Sequence, residues 1–464
     1  MSSQLTFELY NNFVLAIKIS TFFKKHRLLI SLFFIAFIFR LAISPLSTHG
    51  DLTTQAEWGG WMYKNGPMGL YDWNQWISGY WPNHPPLISL VYLWAYQFHS
   101  FLMMCFSNLG NFIALNRLAP TKFLWFFAFT KWFGEAHFEN SYFLKGIVLC
   151  IKFPMIIADI IIALIVYYLC KKNHVDWKKY VLAFLFLPFS WYLSALWGQS
   201  DQLSFIFLIL SFILLNGSKK SWLSPLLFAI SINLKPTGLI LVPLYLWIWF
   251  RQRQSIMKLF FGGTIAILFT VFIVSLFTSK PPINYIFHEL YTRIFLTLKP
   301  IITVDSLNFW RLFVSGKDAA ITDDLVIQKI TILGYIAYFF VSIVSFSVVK
   351  YKKIQSIFAS LFISAFGGWL FLTSMHERYL FIGIASLLLL SIYRSKYFPY
   401  FIVLSTIYLI GMYLVFPAIP IPFLENNQIF SWLFSLVNIL TYLVLTRQIL
   451  KDFHLLSVSR LYKR

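Results

Sequence analysis

An all-α, polytopic bundle of membrane-spanning helices is the fold class this sequence predicts, on three observations. Of its 464 residues 59% are hydrophobic and 12% charged, with a mean hydropathy of +0.71, and no soluble domain of this length could hide so much apolar side chain from water. The apolar residues fall into runs approaching the roughly 20 residues that a straight span requires. Alternate loops between those runs are basic, as loops retained on the cytoplasmic side are.

Taken in order, Lys24, Lys25 and Arg27 precede the apolar run Leu28 to Ile43, which reads as an uncleaved first span starting in the cytoplasm. The inside loops are then those with Lys171, Lys172, Lys178 and Lys179, with Lys219 and Lys220, with Arg251 and Arg253, with Lys350, Lys352 and Lys353, with Arg394 and Lys396, and from Arg447 onward. The runs between them begin with Gly146–Leu169, Tyr180–Leu196 and Gln202–Leu215. A broken pair around Leu223–Leu234 and Gly238–Phe250 comes next, then Lys258–Phe277, Val326–Val349, Ile354–Thr373, Leu380–Ile392, Phe398–Phe416 and Ile429–Leu445. Leu87–Phe106 and Phe123–Phe133 either cross as a hairpin or lie on the outer surface, which makes about 14 spans or about 12. Both termini are expected in the cytoplasm. Without an evident organelle signal, the reading favours a bacterial cytoplasmic membrane over an endoplasmic reticulum. One integral domain covers residues 1–464, since no internal repeat or soluble domain stands out.

The net charge of +21 sits in those short clusters, where it sets topology and meets anionic membrane lipid; nucleic acid is not an expected partner. Cys105, Cys150 and Cys170 lie in or beside apolar runs with no paired spacing, so neither a disulfide framework nor a metal site is indicated.

This topology gathers the unusual polar residues on the outer side: a first loop over 45–84, the turn Trp197 to Asp201, the break Asn233 to Gly238, a second large loop over 278–325, and Met375 to Arg378. In the first loop Asp51, Gln55 and Trp58 stand four and three residues apart, which on a helix puts a carboxylate, an amide and an indole on one face. Asp51 is the lead catalytic candidate, with an N-cap as its structural alternative; Glu57 and Asp201 are the carboxylates that would replace it. The loop's tryptophans suit an interfacial aromatic belt better than a sugar-stacking platform. His376-Glu377-Arg378 places three ionisable residues at a membrane lip, where Arg378 could clamp a phosphate and His376 add a donor; a mutual Glu377–Arg378 pair is the structural alternative. Lys235, beside a proline at a helix break, fits either an anion site or a side chain reaching for headgroups. Asp201 reads first as a helix start, and His84-Pro85-Pro86 likewise.

In their order, these motifs resemble those of the GT-C membrane glycosyltransferases, in particular the polyprenyl-phosphate-sugar-dependent branch that includes the glucosyltransferases of asparagine-linked glycan assembly. Gly50-Asp51-Leu52 with Gln55 and Trp58 is similar to that branch's Gly-Asp-Phe, Gln and Trp, and His84-Pro85-Pro86-Leu87 to its Tyr-Pro-Pro-Leu. Ile157-Ala158-Asp159-Ile160 resembles its Ile-Ala-Asp-Leu, Asn233 with Lys235 its Asn and Lys, Ser306 to Trp310 its Ala-Asn-Phe-Trp, and His376-Glu377-Arg378 its His-Glu-Lys. The resemblance implies a GT-C type bundle whose large first outer loop carries juxtamembrane helices. It also implies an inverting hexosyltransferase that moves a sugar from a polyprenyl-phosphate donor to a hydroxyl of a lipid-linked glycan, cell-envelope polymer or protein. Asp51 would be the general base. His376, Arg378 and Lys235 would hold the donor phosphate, Gln55, Glu57, Trp58, His84, Asp201 and Asn308 would contact substrate, and no metal or cofactor would be required. His84 for Tyr, Arg378 for Lys, and the absence of Glu-Asp-Lys before Ser306 depart from the pattern, so sugar and acceptor are not carried over. The rival class is a secondary transporter or lipid-sugar flippase, with Lys235 at a substrate site and Asp159 as an ion-coupling acid.

Overall fold

The computed structural model describes residues 26–115, 141–292, 301–314, 324–417 and 428–458; the run Phe123–Phe133 lies outside them. The described chain is mostly helical. Its helices are α1 (His26–Leu46), α2 (Gly50–Asn65), α3 (Pro86–Leu115), α4 (Ser141–Lys172), α5 (Trp177–Phe186), α6 (Pro188–Trp197), α7 (Asp201–Leu215), α8 (Ser221–Leu234), α9 (Pro236–Arg251), α10 (Ile256–Ser275), α11 (Asp324–Val348), α12 (Ile354–Phe371), α13 (Phe381–Tyr393), α14 (Ser395–Val415) and α15 (Gln428–Val458).

Among the described residues eight helices are long and apolar enough to cross a membrane, or nine if α5 and α6, bent by 42° at a break, form one span. The difference from the expected 12 to 14 lies in short helices. α7, α8, α9 and α13 are apolar, but at 1.5 Å per residue a 15-residue helix such as α7 covers only about 22 Å of the roughly 30 Å hydrocarbon core. Such helices need protein around their ends, because hydrocarbon offers no partner to orphan backbone groups. α13 has that protection: every residue from Phe381 to Ile392 is buried, which is why it is apolar all round and not on one stripe. α12 is likewise central, 83% of its apolar window being buried, whereas α1 and α10 are only 17% buried and face outward. Close packing at the centre depends on missing side chains: a Cβ on Gly367 would lie 2.5 Å from Val341 on α11 and from the Tyr442 hydroxyl on α15.

The two ends of the bundle differ in chemistry. At one end the basic loops are tied together: Gln252 donates to the Lys350 carbonyl at 2.9 Å and accepts from the Lys352 amide, Gln254 donates to the Leu215 carbonyl, and Lys258 to that of Lys219. At the other end lie α2, the turn between α6 and α7, the break between α8 and α9, and the connection from α12 to α13. A two-residue parallel pairing joins β1 (Thr303–Val304), in the stretch between α10 and α11, to β2 (Met375–His376).

A buried ion pair braces the first half. Arg40 on α1 donates through Nε to Asp159 on α4 at 2.8 Å, and both side chains are wholly buried. The same guanidinium reaches the Ser190 hydroxyl, and Ser194 donates to Asp159 at 2.6 Å, so α6 joins the cluster. This pairing makes Asp159 part of a brace between α1, α4 and α6. Truncating one partner strands a charge, so Arg40→Met alone should cost about 3 kcal/mol or more, read as a large fall in melting temperature. The double variant Arg40→Met/Asp159→Leu should recover most of it, and a double variant as unstable as the single would refute a mainly electrostatic brace.

Candidate active site

Five separated segments line one cavity of about 330 Å³ at the end opposite the basic loops: α2, the end of the first loop, the turn after α6, the break between α8 and α9, and β2 with the residues that follow it. Among its lining side chains are Asp51, Gln55, Trp58, His84, Lys235, His376 and Arg378, seven of the ten residues singled out from the sequence.

Each wall has a local cause. Ser47 donates to the Leu196 carbonyl, and Lys152 on α4 donates to the carbonyls of Ser44 (2.7 Å) and Ser47 (2.8 Å), which fixes the turn from which α2 starts. His49 takes the N-cap position, so Asp51 lies within the first turn. The hydrogen bond its carboxylate accepts comes from the Gln199 side-chain amide at 3.2 Å. That geometry removes the capping alternative. Helical spacing then brings Gln55 and Trp58 to the same cavity, where the Trp58 indole donates to the Tyr80 carbonyl at 3.3 Å and meets the His84 ring edge-on. Trp61, Trp73 and Trp76 instead pack against one another as the loop's own core.

Lys235 has an extended backbone where α8 ends and α9 begins, as the broken run predicted, and its ammonium pairs with the Asp201 carboxylate. Arg378 donates to Glu377 at 3.0 Å while its guanidinium stacks 5.5 Å from the Trp197 ring. The Glu377–Arg378 pair offered as the structural alternative therefore forms, and its arginine also lines the cavity.

Three expectations need correction. Glu57 is absent from the cavity lining; its carboxylate accepts from the backbone amides of Ile77 (2.5 Å) and Ser78 (3.1 Å) and staples the loop to α2. Asn308 is buried behind the site, its amide directed to the Trp369 carbonyl at 3.5 Å, in a segment that supports β2 through Ser306 on the Met375 carbonyl and Trp310 on that of Phe371. Asp201 reaches the cavity only through Lys235. The sequence reading missed Gln199, Ser200, Tyr80, Asn83 and Tyr379, all of which line it. A glycine followed by three polar residues at the junction of two apolar helices was the signal available for Gln199.

The electrostatics follow from burial among cations. Burial pushes the Asp51 carboxyl up, but the positive charge of Arg378, then those of His49 and His84 and the Gln199 hydrogen bond, outweighs it and holds Asp51 below the usual carboxylate range. Burial, reinforced by Lys235, pushes His84 down to about 4 against the pull of Asp51. His376 is driven well below its ordinary value by burial and then by Arg378 and Lys235. Near neutral pH the cavity thus combines an ionised carboxylate, two neutral imidazoles and two fixed cations. Two cations on one wall suit an anion better than a metal ion, and among the described residues no three His, Cys, Asp or Glu come together as ligands. A larger cavity of about 620 Å³ at the basic end has Lys172 as its charged lining residue and no comparable cluster.

Compared with known proteins, the chain matches no family model and no curated sequence.

The His84 shift has a measurable sign. Unfolded, this imidazole binds a proton below 6.5; folded, it does so only near 4. Between those values the unfolded chain holds the extra proton, so stability should decline as pH falls through that window. His49 and His376, shifted the same way by burial, add to the slope. In detergent, the melting temperature should drop between about pH 7 and about pH 5, and His84→Gln should flatten part of the fall; an unchanged slope in the variant would place the titration elsewhere.

Proposed function

We propose that the protein is an inverting glycosyltransferase that moves a hexose from a polyprenyl-phosphate donor to an acceptor hydroxyl of a glycan, polymer or protein on the extracytoplasmic face. One observation carries the reading. The cavity that holds Asp51 and the cations adjoins, across its own lining residues Pro85 and Pro236, an apolar groove of about 270 Å³ formed by residues such as Ile232, Leu239, Val274, Ile286 and Leu290. A cationic pocket next to an apolar groove on the lipid side matches a molecule that is a phosphate at one end and a long hydrocarbon beyond it.

The chemistry follows from the groups in place. The acceptor oxygen attacks the anomeric carbon as the bond from that carbon to the phosphate oxygen breaks, and the electron pair leaves with the polyprenyl phosphate. Arg378, Lys235 and an N–H of neutral His376 meet the charge that grows there, already oriented by Glu377, Asp201 and β2. Asp51, ionised and reachable from the cavity, takes the hydroxyl proton. A carboxylate held below its usual range is a weak base toward an alcohol, so proton transfer comes late, once the attacking oxygen carries positive charge. Donor binding eases this, because a phosphate on Arg378 offsets the charge that depresses Asp51. Leaving phosphate needs no second carboxylic acid, unlike glycoside hydrolysis.

Asp51→Asn separates the roles, for an amide accepts a hydrogen bond but no proton. Purified in detergent, this variant should melt like the wild type and lose roughly two to four orders of magnitude in transfer from a polyprenyl-phosphate sugar; wild-type turnover would end the general-base assignment. Orientation is tested separately, in a background without Cys105, Cys150 and Cys170. In intact bacterial cells an impermeant thiol reagent should label Lys64→Cys, on the cavity side, and spare Lys219→Cys at the basic end. The reverse pattern would turn the site to the cytoplasm.

A further inference from the structure

The turn Trp197-Gly198-Gln199-Ser200-Asp201 touches both chemical ends of the cavity. α6 finishes in π-helix over Tyr192–Trp197 and stops at Gly198, whose φ of +76° is left-handed. A Cβ there would lie 2.9 Å from the Leu52 side chain and 3.0 Å from that of Lys152. Glycine is therefore required twice, by its backbone and by the closeness of α2. The π-turn, a form that recurs at functional sites, delivers Gln199 with its backbone amide on the Leu193 carbonyl at 3.0 Å and its side-chain amide on Asp51 Oδ2 at 3.2 Å. Two residues later Asp201 accepts from Lys235.

We propose that Gln199 is the positioning residue of the base: its amide N–H holds Asp51 Oδ2, so the carboxylate plane is set and Oδ1 is the oxygen that receives the acceptor's proton. The inference rests on the glycosyltransferase reading. A neutral donor suits the task, because it orients the carboxylate without contributing a full positive charge that would weaken it further as a base. The titratable and charged groups that act on Asp51 are His49, His84 and Arg378; Gln199 is the donor that adds no charge.

Kinetics of three variants, read beside melting temperature, test this. Gln199→Leu fills similar space without a donor; kcat should fall roughly ten- to a hundredfold, the scale of a hydrogen bond to a charged group, with KM for the donor nearly unchanged. Its acid limb of kcat/KM should move up, since the charged form of Asp51 loses a partner. Gln199→Glu should move that limb further up by like-charge repulsion. The double variant Asp51→Asn/Gln199→Leu should be no slower than Asp51→Asn alone, because nothing remains to orient. An unmoved acid limb in both single variants, or additive losses in the double, would overturn the role, even if melting temperature fell. Should Gln199→Leu fail to fold, Gln199→Glu carries the pH test. Full turnover in Asp51→Asn would sink the parent reading, whereas an inactive Asp51→Asn beside a wild-type Gln199→Leu would sink this inference alone.

Discussion

The Arg40–Asp159 pair is the constraint from which the site is built. Asp159 lies midway along an apolar helix window, where a lone carboxylate is costly and a lone guanidinium hardly less so. Their mutual satisfaction, with Ser190 and Ser194, leaves three helices one arrangement. Two turns above Asp159 on the same helix, Lys152 spends its ammonium protons on the Ser44 and Ser47 carbonyls and so aims α2. Above Ser194, the π-turn carries Gln199 to Asp51. Asp51 and its hydrogen-bond partner Gln199 are thus both anchored to one ion pair buried in the bundle.

The second half of the site rests on paired charges of another kind. Lys235 and Arg378 each have a carboxylate beside them before any ligand arrives. In a buried setting an unpartnered cation would tend to lose its proton or draw in water; pairing keeps it charged and fixed in direction. Under the proposed function an incoming phosphate would compete with Asp201 and Glu377, which favours an anion able to bring further binding energy from elsewhere. The apolar groove beyond Pro85 and Pro236 is where a hydrocarbon chain would contribute it.

The stretch from Ser306 to Trp310 acts from behind. Ser306, Asn308 and Trp310 belong to a stretch whose resemblance to Ala-Asn-Phe-Trp made Asn308 a candidate substrate contact, a match in one dimension that carries no direction. Folded, they hydrogen-bond the end of α12 and β2, holding His376 toward the cavity. Glu57 deceived for the same reason: on the same short helix as Asp51, it points to the loop's backbone amides. Sequence spacing identifies which residues can share a face, but neighbouring positions on a helix look in different directions.

Much of this protein was determined locally. Apolar runs and basic clusters sufficed for an all-helical membrane bundle with chemically distinct ends, because hydrophobicity and charge act on each segment whatever its neighbours. Proline and the helix period likewise located the start of α3, the break at Lys235, and the shared face of Asp51, Gln55 and Trp58. Tertiary structure alone decided the rest: that short helices such as α7 and α13 survive inside a protein shell, that Asp159 finds Arg40 119 positions away, and that Gln199 meets Asp51 across 148. Those contacts depend on hydrogen bonds and close packing between distant segments, whose energy exists only once the chain has brought them together.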